Sequence, residues 1–567
     1  MREIDRIKAL PVAADVMPDV DGLVDYYTAR LRTSLPVPPE LGGRVPSRLW
    51  PHQAEALWHF ESAGGLVANL LPGQGKTLLT YLLPAVSGAA RPMLIVPSEL
   101  SSSEAGKEGK TEREFRALRP YWQSPHITII KVGQLSRDYD DTIFDTFRPQ
   151  LIMVDEADML SNPKAARTRR LMHYLEAHPD GLTCKLVALS GTLLRSSVLD
   201  YAHFCNRSLG LMSPVPRKSG MLYAWAKATD PQSLLVDKGA VKLGCLDELE
   251  HDPRDPDWPR IVVGQRLRQS LGCMVTTKPY NDKPLKIKVN SGTLDPEAEA
   301  VLAEMRATGE RPDGEPVAGN NLWQHACELA LGYWSQWDPW PPAEWREARR
   351  EWNAAWTGER DAGHRWHSEW QVKDAALQGD PALSHIADAC RRWVKASANF
   401  KINTKPVWVA RDNPCFRFAK KWLDAEGPEQ RHRSLIWVAH VAAAHELGKQ
   451  LGLPVFGAAQ GKEGNPYIED HEGPAILTIA SNMTGRNLQY SWSRNLFLDT
   501  PASNTTYEQS MARTHRSGQT SECVTVDLYL CCDEQWRALA RAGDLAKYWH
   551  QMQDVEPRLR LAEWTTD

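Results

Sequence analysis

Leu70-Leu71-Pro72-Gly73-Gln74-Gly75-Lys76-Thr77 decides how the rest of the chain is read. The run from Gly65 to Leu71 is apolar enough for a buried parallel strand, and Leu78 to Val86 has the composition of a helix. Strand, Gly-rich loop and helix, in that order, is the setting in which such a loop binds phosphate. No side chain keeps the backbone N–H groups around Gly73, Gln74 and Gly75 from phosphate oxygens, and the helix N-terminus adds partial positive charge. Lys76 then reaches the β and γ phosphates, and the Thr77 hydroxyl takes Mg²⁺. The competing reading is a Gly-rich turn with an exposed lysine. A phosphate loop requires further parts downstream.

The first of these is an acidic box. Leu151-Ile152-Met153-Val154 reads as a strand that runs into Asp155-Glu156-Ala157-Asp158, about eighty residues after the loop. Carboxylates at the C-terminal end of a buried strand sit where a parallel α/β sheet collects its ligands. Asp155 is the candidate for holding Mg²⁺, and Glu156 for orienting or deprotonating an attacking water. Pro92–Val96, His126–Val132 and Lys185–Leu189 supply three more strands. The last ends in Ser190-Gly191-Thr192, whose hydroxyls are placed to hydrogen-bond the acidic pair. Upstream, Gln53 opens a helical pattern running to Phe60, and its amide can donate to and accept from an adenine edge. A helix-capping glutamine is the plainer alternative.

A formal net charge of −4 over 567 residues leaves no global basic field, so nucleic-acid binding would rest on local patches. The length predicts two or more domains. Met1-Arg2-Glu3-Ile4-Asp5 lacks the apolar stretch of a secretory signal, and no apolar run approaches a membrane span. A soluble, cytoplasmic protein is expected. The 22 tryptophans are the unusual count, and ten of them fall between 295 and 405. Trp334, Trp337, Trp340, Trp345, Trp352 and Trp356 recur at helical spacing among Arg346, Arg349 and Arg350. Packing and base stacking are both open for this stripe, and packing is commoner.

Further along, Ser434–Val438, Ala475–Ala480 and Asn495–Leu498 alternate with helices, which implies a second parallel α/β unit. It has no phosphate loop of its own. It does carry Gln509, Arg513 and Arg516, which share one face if the segment is helical. Arginines aimed at a transferring phosphate stabilise charge in its transition state.

Lys76-Thr77, Asp155-Glu156-Ala157-Asp158 and Ser190-Gly191-Thr192, in this order, resemble motifs I, II and III of superfamily-2 helicases. Leu49-Trp50-Pro51-His52-Gln53 and the string "ARTHRSGQ" from Ala512 to Gln519 are similar to the Swi/Snf-type branch of DNA translocases, whose motif VI reads "DRAHRIGQ". The box is DEAD where that branch usually has DEAH, and Asn482 and Met483 stand where it has paired glycines. The resemblance implies two tandem RecA-like parallel-sheet lobes of the α/β class with a helical, Trp-rich insertion between them. It implies ATP and Mg²⁺ as cofactors and Arg516 as the arginine finger, with Arg513 and Gln509 as nucleotide-facing companions. Gly485 and Asn487 would contact the nucleic-acid backbone.

The implied organisation is an arm at 1–47, a first lobe at 48–294 with an insertion at about 211–265, the Trp-rich insertion at 295–405, a second lobe at 406–545 and a tail at 546–567. The implied activity is ATP-driven movement along duplex DNA read without sequence preference, with protein partners met through the Trp-rich insertion. A strand-separating helicase of DNA or RNA, a binding scaffold with a decayed ATPase, and a motor subunit of a restriction or repair complex are the alternatives.

Overall fold

The computed structural model describes all residues except 1, 40–44, 72, 99, 102–108, 138–141, 232–245, 253, 277–282, 318–321, 362–368, 461–464 and 567. Pro72 of the expected phosphate loop and part of the expected 211–265 insertion thus lie outside the described residues. The chain divides into two compact units, 1–278 with 355–386 and 548–555, and 279–354 with 387–547 and 556–567.

The first unit is built on six parallel strands: β1 (Leu66–Asn69), β2 (Pro92–Val96), β3 (Thr128–Lys131), β4 (Leu151–Asp155), β5 (Lys185–Ser190) and β6 (Cys273–Val275). Their order is β3-β2-β4-β5-β1-β6. Every residue of β1 and β2 is buried, which is why these strands are continuous apolar runs rather than alternating ones. The helix Lys76–Ser87 buries Leu78, Leu79, Leu82 and Leu83 in the same core as Leu66, Leu94 and Leu151. Each fully buried leucine contributes about 1.5–3 kcal/mol. Helix Val20–Leu31 packs on helix Pro51–Ala63, so the N-terminal segment is joined to this core through Leu23, Val24, Tyr27 and Leu31.

Register brings the chemistry to one edge. Asp155, the last residue of β4, pairs with Leu189, and Asn69, the last of β1, pairs with Ser190. The loops after β4, β5 and β1 therefore leave adjacent strands at the same carboxyl end, where a parallel sheet presents its ligand site.

The second unit begins with β7 (Leu285–Ser291) and contains an antiparallel pair, β8 (Tyr333–Asp338) and β9 (Asn403–Trp408). It continues with β10 (Ser434–Val438), β11 (Val455–Phe456), β12 (Ala475–Thr478), β13 (Arg494–Phe497), β14 (Val524–Leu530) and β15 (Glu563–Thr566). Its seven-stranded parallel sheet has the order β11-β12-β10-β13-β14-β7-β15. The molecule is thus α/β, with two tandem RecA-like parallel-sheet units.

Two boundaries differ from expectation. Residues 285–291, expected to close the first lobe at 294, form β7 and pair along their whole length with β14, from Leu285 opposite Val524 to Ser291 opposite Leu530. Leu285, Ile287 and Val289 enter the second core, which fixes the side they join. The expected tail at 546–567 is shared. Tyr548–Val555 belongs to the first unit, and Glu563–Thr566 is a strand beside β7.

The Trp-rich segment is mostly packing. Trp334, Trp345 and Trp352 are buried. The Trp345 ring meets Trp337, Trp393 and Phe400 edge-on, and the Arg349 guanidinium lies over both Trp337 and Trp345. The β8–β9 pair within it is unexpected in a region read as helical. Among the described residues no helix is long and apolar enough to cross a membrane.

Candidate nucleotide site

Gly75 caps the helix Lys76–Ser87 in the left-handed region at φ 69°, and Gly73 has φ 92°. A side chain at Gly75 would be strained, and a Cβ there would lie 2.4 Å from Gln53 Nε2. The loop is held from behind. Gln53 donates to the carbonyl of Gly75 at 3.2 Å and accepts from the Trp50 N–H at 2.9 Å, while His52 Nε2 donates to the carbonyl of Gln74 at 2.8 Å. Gln53 is thus placed as a helix cap and a brace for the loop. Its adenine-edge role has only the amide's remaining N–H and lone pair to work with.

Lys76 and Glu156 meet. Lys76 Nζ donates to Glu156 Oε1 at 2.8 Å, with side-chain exposures of 12% and 18%. Burial pulls the lysine down, but Glu156, Asp155 and Asp158 outweigh it and hold its pKa above the ordinary value. Burial pushes the Asp155 carboxyl up to about 6, with Lys76 opposing and Glu156 adding to the rise. Glu156 sits at φ 50°, a left-handed backbone that costs a non-glycine residue about 1–2 kcal/mol. Strain of this kind is retained where surrounding structure enforces it, often at functional sites.

Ser190 Oγ donates to Asp158 Oδ1 at 2.9 Å and lies 3.4 Å from Glu156 Oε2. The Thr192 N–H donates back to Ser190 Oγ at 3.1 Å, across the turn at Gly191. The expected link from this tripeptide to the acidic box therefore exists, and it reaches Asp158 more closely than Glu156. Thr77 Oγ1 donates to Glu114 Oε2 at 3.0 Å. The Thr77 hydroxyl and the Asp155 carboxylate are the hard oxygen donors that Mg²⁺ takes. Among the described residues no three His, Cys, Asp or Glu side chains form a metal cage. Mg²⁺ at a phosphate site needs only one or two carboxylates beside phosphate and water.

Two residues here escape sequence reading. Glu114 lies on the helix Lys110–Leu118, which follows a Ser/Gly/Lys stretch without strand or motif signal. The spacing of buried Thr111, Phe115 and Leu118 is the signal that finds it. Arg195, which donates to Asp158 Oδ2 at 2.5 Å, carries no signal beyond its nearness to Thr192.

In the second unit, Gln509 lies on the helix Asn504–Met511, but Arg513 and Arg516 do not. The expectation of one continuous helical face is corrected for a local reason. In a continuing helix the Gln509 carbonyl would take the Arg513 N–H. Instead that N–H bonds to Ser510 at 3.1 Å, and the Arg513 side-chain Nε occupies the Gln509 carbonyl at 2.9 Å.

Both arginines still converge. Arg513 and Arg516 donate to the carbonyl of Arg486 at 3.2 and 3.4 Å, and Arg516 also donates to Asn487 Oδ1 at 2.9 Å. The Leu488 N–H donates to the Arg513 carbonyl at 3.1 Å, and Gly485 makes the bend at φ 70°. Burial, with the Arg558 charge nearby, holds the Arg516 guanidinium below its ordinary value. Asn482 is buried and donates to the carbonyls of Phe456 and Thr478, both at 2.9 Å.

No family model matches the chain, and no curated protein does. Among solved structures it is similar to the SWI2/SNF2 ATPase core of Sulfolobus solfataricus, determined in complex with dsDNA. The identity is 17%, the match covers 92% of this chain and 98% of that one, and the TM-score is 0.31.

Proposed function

We propose that the chain is an ATP-dependent nucleic-acid motor, a translocase on double-stranded DNA that couples hydrolysis to movement. The observation that carries this reading is the pairing of Lys76 with Glu156 behind a left-handed Gly75, at the sheet edge shared by β1, β4 and β5. A lysine that gives up this carboxylate for the γ phosphate leaves Glu156 able to orient and deprotonate water. Asp155 and Thr77 hold Mg²⁺, which when bound neutralises charge on the phosphate oxygens. Arg513 and Arg516 of the second unit stabilise the transferring phosphate, an effect worth about 10³ to 10⁵ in rate where arginine fingers act.

Their shared acceptor, the Arg486 carbonyl, lies between Gly485 and Asn487, the residues proposed to follow the DNA backbone. A change at the nucleotide is thereby linked to a change at the DNA. Contacts to phosphates are independent of sequence and weaken with salt. In this reading the motor works in the cytoplasm, and Trp340, an exposed tryptophan among the described residues of the Trp-rich segment, is offered to protein partners.

ATP hydrolysis measured without nucleic acid and with single-stranded DNA, blunt duplex DNA or RNA tests the reading. Duplex DNA stimulates turnover most, and Glu156→Gln abolishes turnover while ATP still binds. Stimulation by single strands alone replaces the translocase with a strand-separating helicase. A Glu156→Gln protein with the wild-type rate removes the motor.

A further inference from the structure

Arg558 stands 42 positions beyond Arg516 in the sequence, yet it holds the turn that carries that residue. Both Arg558 and Glu508 are fully buried. The Arg558 guanidinium pairs with the Glu508 carboxylate through one nitrogen and donates through the other to the carbonyl of His515 at 2.7 Å. The Arg558 backbone N–H donates to the second carboxylate oxygen of Glu508 at 2.9 Å. Glu508 immediately precedes Gln509, and His515 immediately precedes Arg516. One planar guanidinium therefore ties the beginning of the Gln509–Arg516 segment to its end.

The other supports of this turn act elsewhere on it. His515 Nε2 bonds to the carbonyl of Lys283 at 2.9 Å, and Asn495 Nδ2 donates to Thr514 Oγ1 at 3.1 Å. A buried ion pair contributes little net stability over an apolar pair of the same volume, because both charges lose their water. What the pair adds is direction, since a guanidinium offers its donors in a fixed fork. That direction is spent on a turn whose helix has already ended at Met511 and whose geometry is no longer dictated by helical hydrogen bonds.

We infer that Arg558 is a positioning residue for hydrolysis: together with Glu508 it sets the placement of Arg516 without touching nucleotide or DNA. This rests on the motor reading given above. The short helix Arg558–Leu561 of the second unit accordingly acts on hydrolysis by way of the turn it clasps.

The test uses the full chain. Glu508→Leu with Arg558→Met removes both charges and keeps the volume, and Arg558→Lys keeps the charge but loses the fork. Each is made alone and with Arg516→Ala, and is followed by thermal unfolding, by titration with a fluorescent ATP analogue, and by duplex-stimulated kcat and KM for ATP. The expected result for the double substitution is unchanged unfolding and analogue affinity, with kcat at least tenfold lower and KM within about twofold. In the Arg516→Ala background the further loss vanishes, because both changes act through the same guanidinium. Arg558→Lys moves the same way to a smaller extent, and it decides the matter if the double substitution does not fold. A kcat within twofold of wild type, or a loss that multiplies with that of Arg516→Ala, overturns the inference. Wild-type hydrolysis by Arg516→Ala alone overturns the parent reading instead.

Discussion

Arg195 closes on Asp158 at 2.5 Å from the turn that follows Ser190-Gly191-Thr192. Burial drives the Asp158 carboxyl upward, and Arg195 is the strongest influence opposing it. With Ser190 on the other oxygen, the acidic box and the turn after β5 become one network. Arg195→Met should leave a buried carboxylate without its counter-charge. The pair is partly open to water, since the Arg195 side chain is 35% exposed. The expected loss is therefore about 1–2 kcal/mol rather than the larger cost of a fully buried pair. Urea unfolding at pH 7 measures it, and adding Asp158→Asn should recover most of it.

Thr77 donates its hydroxyl hydrogen to Glu114, which leaves the oxygen lone pairs available to a cation. Glu114→Ala should reduce the gain in ATP-analogue affinity brought by Mg²⁺ by about tenfold. Affinity in EDTA should stay the same. Fluorescence titration in the two buffers separates this from general damage to the loop, and Thr77→Val should remove the gain altogether.

Asp155 provides a test by stability. Its carboxyl is raised to about 6 in the folded protein, above the ~3.9 of an unfolded chain. The folded state therefore binds the proton more tightly. That contribution is fully present below pH ~3.9 and is lost as pH rises through about 6. At pH 7 to 8 the nucleotide-free protein carries a half-buried carboxylate, and Asp155→Asn should stabilise it by ~1–3 kcal/mol. Thermal unfolding should show the difference shrinking toward pH 4, and the same substitution should abolish Mg²⁺-dependent hydrolysis.

His59 moves the opposite way. Burial pushes its imidazole down to about 4, and Nδ1 accepts the Gly272 N–H at 3.1 Å, so the neutral ring is the bonded form. The unfolded chain takes the proton first, near pH ~6.5. Stability is intact above that value and falls between about 6.5 and about 4, by at most ~1.4 kcal/mol per pH unit. His59→Gln keeps an acceptor without titrating. Its unfolding free energy should fall less steeply over this window, by one proton's worth of slope.

Strands were legible in the chain because burial on both faces writes itself as uninterrupted apolar residues. Pro92–Val96 and Ser434–Val438 fall where composition puts them, and Leu151–Asp155 extends the reading by a single residue. Long-range partnership was not legible in the same way. Lys-Ile-Lys-Val at 286–289 alternates like any half-exposed strand, and nothing local says that it belongs beside Val524–Leu530. Helical periodicity was equally blind to the break after Met511, which is made by a side chain competing for a backbone acceptor. Glu114, Arg195 and Arg558 are ordinary charged residues until the fold places them. The tryptophan stripe was read more closely, since burial of Trp345 and Trp352 accounts for much of its spacing.

Neither unit is a continuous stretch of chain, because the first takes in residues 548–555 and β7 waits for β14 and β15. During synthesis, Leu285–Ser291 emerges well over two hundred residues before the strand that will lie beside it. Until then its apolar face and free edge have no native cover, and long-range pairing of this sort is slow and open to misassociation. Cutting the gene at an apparent lobe boundary should therefore yield two fragments that each lack a structural piece. Co-expressed fragments would have to exchange those pieces to be soluble.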